Sequence, residues 1–254
     1  MDGTLLNSRK EVPSGFIEWV KKHADVLMVL ASGRQYYTLL EDFSDISEEA
    51  VFLAENGAMV VYRDEIIHVD EMARSSAKLV LNRAMEIEEV CPILCGTHSV
   101  YYRKDQEDML EPALRFFHSR MPVDSLLEAV DRDTIIKVAN FVPARNADNV
   151  FPRFTGLPKN VYAVVTGPEW IDVMNVSVNK GVALKMIQNR FSILPEESMA
   201  FGDLMNDYEM LKECEYSFAM ENACEGIYKV ARYTTASNDE DGVMKILRNI
   251  EQYG

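Results

Sequence analysis

Short apolar runs alternate with stretches of helical period at both ends of the chain. Residues 26–30, Val-Leu-Met-Val-Leu, run without a polar break into Ala31-Ser32-Gly33, the pattern of a strand buried on both faces. Residues 51–54 run likewise into Glu55-Asn56-Gly57, and 59–62 and 66–69, parted by Arg63-Asp64-Glu65, predict a hairpin. Toward the other end, 198–201 lead into Gly202-Asp203 and 216–220 into Glu221-Asn222. Helical patterns occupy 14–22, 180–190, 207–213, 223–231 and 239–252. This β-α-β-α order predicts an α/β fold with a doubly wound parallel sheet.

The middle of the chain has another rhythm. Residues 73–90 form one long helical pattern, 99–103 a strand, and 111–120 a second helix in which Pro112 falls in the first turn. Strands are expected at 135–142 and 161–165. Mixed elements with short connections predict an α+β insertion. The expected plan is a discontinuous core, 1–71 and 170–254, holding an inserted domain at 72–169.

Composition narrows the function classes. With 48% hydrophobic residues the chain has material for a full core. No stretch has the roughly 18 consecutive apolar residues of a membrane span, and the N-terminus has no signal-peptide pattern; cytoplasmic residence is the expectation. Forty-one acids against 26 bases give a net charge of −15, which repels nucleic acid and anionic membranes and leaves neither as an expected partner. Cys91-x₃-Cys95 with His98 close by suggests a metal site, but no fourth ligand is evident, and buried thiols are the better reading.

Ligands of open α/β sheets bind beyond the carboxyl ends of the strands. The residues expected there are Asp2 and Thr4, Ser32-Gly33-Arg34, Lys180 at the start of a helix, and Gly202-Asp203-Leu204-Met205-Asn206-Asp207. Carboxylates with one lysine, hydroxyls and turn amides suit Mg²⁺ and a phosphoryl group: the metal takes hard oxygen ligands, and the ammonium and amides neutralise phosphoryl oxygens.

Met-Asp-Gly-Thr-Leu-Leu at 1–6, Ser-Gly-Arg at 32–34, Asn-Lys-Gly at 179–181 and Gly-Asp-Leu-Met-Asn-Asp at 202–207 resemble, in order, the four motifs of the haloacid dehalogenase (HAD) superfamily of phosphatases. Glu-Asn-Gly-Ala at 55–58 and Ala-Met-Glu-Asn-Ala at 219–223 resemble lesser signatures of its Cof-type sugar-phosphatase branch. The resemblance runs over nearly the whole chain. It implies a Rossmann-like core, a large C2-type α/β cap, Mg²⁺, and hydrolysis of small phosphorylated metabolites through an aspartyl-phosphate. The branch's first motif reads D-x-D-G-T, and its first Asp is the nucleophile; here Met1 stands at x. The expectation is therefore that the nucleophilic Asp, and the central strand carrying it, lie just upstream of Met1, so that the first core strand is missing from this sequence.

The resemblance also implies roles. Asp2 is the general acid/base and a backbone ligand of the metal, and Lys180 offsets the charge of nucleophile and phosphoryl group. Thr4, Ser32, Gly33, Arg34 and Asn206 serve the phosphate or substrate, and Asp203 and Asp207 join Asp2 at the metal. Plainer roles stand beside these: Ser32 or Asp207 as helix caps and Arg34 on surface acids; Asn56 and Asn222 read first as turn residues, though either could line the cleft. In the insert, His98, Tyr101, Tyr102, Arg103 and Lys137 are polar or aromatic enough to contact a sugar, and spacing does not choose among them. Hexose and pentose phosphates lead as substrates, with nucleotides, flavin and pyridoxal phosphates open. The alternative is a phosphometabolite-binding protein without turnover. A monomer or homodimer is expected.

Overall fold

The structure is a computed structural model and describes residues 1–253. Two compact units emerge: one from Met1–Gly33, Phe43–His68 and the chain from Asn179 onward, the other from Arg34–Asp42 and Val69–Val178.

The strands in chain order are β1 (Met28–Ala31), β2 (Ala50–Ala54), β3 (Met59–Tyr62) and β4 (Glu65–Val69), then β5 (Cys91–Gly96), β6 (Val100–Arg103), β7 (Arg120–Val123), β8 (Ile135–Phe141), β9 (Val161–Gly167) and β10 (Trp170–Asn175), then β11 (Met199–Gly202), β12 (Tyr216–Met220) and β13 (Tyr233–Thr235). In the first unit β1 to β4 pair in sequence order. β1 lies parallel to β2 with Leu30 opposite Phe52, and β2 antiparallel to β3 with Leu53 opposite Val60. β11, β12 and β13 form a separate parallel sheet, Phe201 opposite Phe218 and Ala219 opposite Thr234. All five residues of β2 are buried, as its unbroken apolar run requires.

Helix Lys180–Phe191 serves both sheets. Ala183 and Ile187 pack with Val51, Leu53 and Val60, while Leu184 packs with Ala200, Leu211 and Ala219. One helix face therefore holds its first residue, Lys180, against the ends of two sheets.

In the second unit six strands pair in the order β7-β6-β5-β8-β10-β9, all antiparallel except β6 with β7. Helix Arg74–Met85 places Ala77, Val80, Leu81 and Ala84, at i, i+3, i+4 and i+7 spacing, on Leu94, Val138, Ile171 and Val173 of that sheet. Among the described residues no helix is long and apolar enough to cross a membrane.

Several elements differ from expectation. The long pattern at 73–90 stops at Met85, after which Ile87 and Val90 turn back with amides on Ala84 and Ile87. The helix expected at 111–120 runs instead over Glu107–Leu114, and Arg120–Val123 is a strand. Pro112 is its sixth residue; it and Asp108, whose carbonyl a sixth-position amide would bond, are both exposed, so water serves the orphaned acceptor. The pattern at 239–252 breaks at Asp241, whose φ of 57° is left-handed, leaving Gly242–Leu247 as the helix. Trp170–Asn175 was expected in the core but pairs with β8 and β9, and Asn175 donates to Asp70 Oδ1 (2.6 Å) and Glu71 O (2.9 Å), so the second unit extends to Val178. Helix Tyr36–Asp42 joins that unit through Gln35 to Ser119 and Thr38 to the Phe116 carbonyl.

Candidate active site

The site of the first unit begins at a tight turn. The Met1 carbonyl accepts the amides of Thr4, Leu5 and Leu6 at 3.2, 2.9 and 3.0 Å, and Gly3 sits at φ +72°. A Cβ on Gly3 would lie 2.4 Å from Asp203 Oδ2, so glycine is required by backbone conformation and by space together. Thr4 Oγ1 donates to Asp203 Oδ1 at 2.6 Å, across 199 residues of sequence. Asn222 Nδ2 holds the Gly3 carbonyl at 2.7 Å, and its Oδ1 accepts the Asn238 amide.

The segment Gly202–Asp207 folds back on itself. Asp207 Oδ2 accepts the amides of Asp203 and Leu204, while Oδ1 accepts Lys180 Nζ at 2.6 Å. Asp207 makes no side-chain cap bond to the following helix, Tyr208–Lys212, but through the Leu204 amide it caps the short turn Met205–Asp207 before it. Lys180 opens its helix behind Asn179, whose side chain caps the Val182 amide. Both side chains of the Lys180–Asp207 pair are nearly sealed, at 4% and 5% exposure. Burial, the largest influence on Asp207, pushes its carboxyl up, but the Lys180 charge and the donors around it outweigh burial and hold it below the usual carboxylate range. Asp203 goes the other way. Burial first, and the neighbouring Asp207 charge, raise it, and Thr4 and Lys180 compensate only in part.

Ser32 directly follows β1, buried, with its amide on Leu53 O and its carbonyl accepting the Asn56 amide at 2.9 Å. Gly33 lies against the Asn56 side chain, and Asn206 Nδ2 donates to Asn56 Oδ1 at 3.1 Å. Thr4, Ser32, Gly33, Lys180, Asn206, Asp203 and Asp207 thus lie in one bonded neighbourhood of the first unit. Asp2 is half-buried, and its Oδ1 takes Lys10 Nζ at 2.7 Å. Arg34 belongs to the second unit, where its guanidinium pairs with Asp42 at 2.9 Å.

The oxygen-only donor set fits a hard divalent cation. Among the described residues no three His, Cys, Asp or Glu side chains converge on one point; Mg²⁺, however, is commonly held by one or two carboxylates plus waters and substrate oxygens. Asp203, short of compensating charge, is the group that a cation would relieve.

In the second unit the structure separates the five cap candidates. Tyr101 and Tyr102 are buried, and burial with the Asp133 charge pushes Tyr101 up to about 12. Lys137 is buried 3.6 Å from Asp172, and Arg103 is paired with Asp105. His98 alone of the five has an exposed side chain, 75%, with Nδ1 fixed on Asp133 Oδ1 at 2.9 Å. Cys91 and Cys95 are buried in β5, a strand the sequence reading missed because burial on both faces leaves no alternation. Asn238 and Lys10 have no motif to mark them, while Asn56 and Asn222, open between turn and cleft in the sequence, both bond to segments of the site.

A strand-and-helix core whose acids, lysine and hydroxyls meet at strand ends, with a second α+β unit inserted in its sequence, defines a class of phosphoryl-handling hydrolases. Residues 1–247 match the haloacid dehalogenase-like hydrolase family. A 5-amino-6-(5-phospho-D-ribitylamino)uracil phosphatase of Escherichia coli K12, YbjI, is 30% identical over 98% of this chain and 93% of its own length. Its Bacillus subtilis 168 namesake YitU is 25% identical over 98% of this chain and 94% of its own. The crystal structure of SMU.1108c from Streptococcus mutans UA159 superposes with a TM-score of 0.82 at 27% identity, covering 99% of this chain and 97% of that one. The chain belongs to the haloacid dehalogenase-like hydrolases, with the Rossmann-like core and α+β cap of that fold.

Proposed function

We propose that the protein is a Mg²⁺-dependent phosphomonoesterase of small phosphorylated metabolites, sugar and sugar-alcohol phosphates first among them, acting through an aspartyl-phosphate on an Asp that precedes Met1. The observation that carries it is the junction of Thr4, Asp203, Asp207 and Lys180, drawn from both ends of the sequence into one buried polar cluster. The end-to-end relatives named as phosphatases of a ribityl phosphate support the substrate class.

Support for the preceding strand comes from the sheets. Among the described residues β1 pairs only with β2 and β11 only with β12, so each leaves an edge open. The Met1 nitrogen, part-buried, lies 3.5 Å from the Ala31 carbonyl of β1. As an ammonium it would be lowered to about 6, by burial first and Lys180 next; a peptide N–H suits that position better than a charge.

In this mechanism the upstream carboxylate attacks phosphorus, and the ester oxygen leaves as the alcohol with a proton from Asp2. Water then attacks the acyl phosphate, Asp2 takes its proton, and orthophosphate departs. Lys180 and Ser32 neutralise the phosphoryl oxygens. Asp203, with Asp207 and the Asp2 carbonyl, would hold Mg²⁺, which supplies charge compensation for nucleophile and phosphoryl group when bound. The test compares p-nitrophenyl phosphate hydrolysis with Mg²⁺ by this chain and by a form extended upstream through the Asp. Turnover is expected only in the extended form and falls about 10²-fold or more on Asp203→Asn. Equal turnover by both forms would rule out the upstream nucleophile.

A further inference from the structure

Glu55, Asn56 and Gly57 carry φ of 51°, 58° and 102° in succession, a region that side chains other than glycine rarely enter. A backbone held there marks a place where the surroundings dictate the conformation. Here the surroundings are three segments of the site. The Asn56 amide donates to Ser32 O at 2.9 Å. Gly57 packs so closely that a Cβ would lie 2.7 Å from the carbonyl oxygen of Asn179, the residue before Lys180. Asn56 Oδ1 accepts Asn206 Nδ2.

The Asn56 side chain is the informative part. With Oδ1 taken by Asn206, the orientation of the amide is set, and Nδ2 lies 3.0 Å from where a Gly33 Cβ would stand. Nδ2 carries two N–H donors and donates to no group among the described residues, while Asn56 itself is only half-buried. A turn residue needs the left-handed backbone but not an amide aimed across the neighbouring Ser-Gly. We propose that Asn56 is a phosphate-binding residue: Nδ2 donates to a phosphoryl oxygen seated beside Ser32 and Gly33, and Asn206 holds the amide in register. The proposal rests on the phosphomonoesterase reading of this site.

Isothermal titration of inorganic phosphate, with Mg²⁺ present, into the chain and its variants tests both and keeps them apart. Asn56→Gly retains the left-handed backbone, so its melting curve should match that of the parent. Its phosphate affinity is expected to fall about tenfold or more, the worth of one hydrogen bond to a charged acceptor. Asn56→Asp, which also tolerates the backbone and replaces the donor with a negative charge, should bind still more weakly. In an Asn206→Ala background the loss on Asn56→Gly should persist, because the donor is Asn56 itself. Unchanged affinity in Asn56→Gly would overturn the proposal while leaving the phosphatase reading intact. Parent protein that binds no phosphate would overturn that reading and this proposal with it.

Discussion

Two carboxylates, one in each unit, are buried to nearly the same degree and treated in opposite ways. Asp133 is 8% exposed and Asp203 7%. Asp133 accepts from Thr97 Oγ1, the His98 amide and ring, the Ser99 and Thr134 amides and the Tyr101 hydroxyl. Burial, the largest single influence, pushes it up, yet these donors outweigh burial and leave it below the usual range. Gly96 makes room, since a Cβ there would lie 2.3 Å from Asp133 Oδ2. Asp203 has Thr4 as the one side-chain donor among the described residues, and it is raised. A fully bonded carboxylate organises a loop; an under-compensated one stores an unfavourable charge that a ligand can relieve.

The largest effect should come from Lys180, the buried lysine of the Asp203 neighbourhood. Lys180→Ala strands Asp207 and should lower stability by about 3–5 kcal/mol in urea denaturation; a loss under about 1 kcal/mol would mean the pair is not sealed in solution. Asp133→Ala leaves its donors without an acceptor and should cost about 3 kcal/mol by the same measurement.

Next comes the metal. Mg²⁺ at 100 times its dissociation constant should stabilise the protein by about 2.7 kcal/mol, seen as a thermal shift that survives Asp133→Asn and disappears in Asp203→Asn. An undiminished shift in Asp203→Asn would place the cation elsewhere.

The pH dependences should have opposite signs. Asp133, lowered on folding, contributes stability above the ordinary carboxylate range that is lost as pH falls through its folded value. Asp203, raised on folding, makes stability fall as pH rises from the ordinary value through the folded one. Chemical denaturation across acid to neutral pH should therefore show Asp203→Asn gaining on the parent as pH rises, and Asp133→Asn losing. The smallest effect belongs to His98→Ala, within about 0.5 kcal/mol, because that side chain is mostly in water.

Much of the first unit was legible because its strands are short unbroken apolar runs with Gly-containing ends, a local pattern. The second unit was less so. β5 hides its period under burial on both faces, β7 is mostly exposed and short, and Pro112 drew the helix start toward itself when Glu107 and Asp108 already supplied a first turn. In the site, residue types and order marked Asp203, Asp207 and Lys180, whereas for Asn56 the run Glu55-Asn56-Gly57 after an apolar strand fits a turn and a cleft residue alike.

Residue order alone determined the alternation of elements and the acids, hydroxyls and lysine on offer, since strand period, turn chemistry and motif spacing act over a few residues. Tertiary structure decided which carboxylate is satisfied and which is left wanting. That depends on Thr4 reaching Asp203 across 199 positions, and on desolvation that exists only once the sheets and helices have closed over the charges.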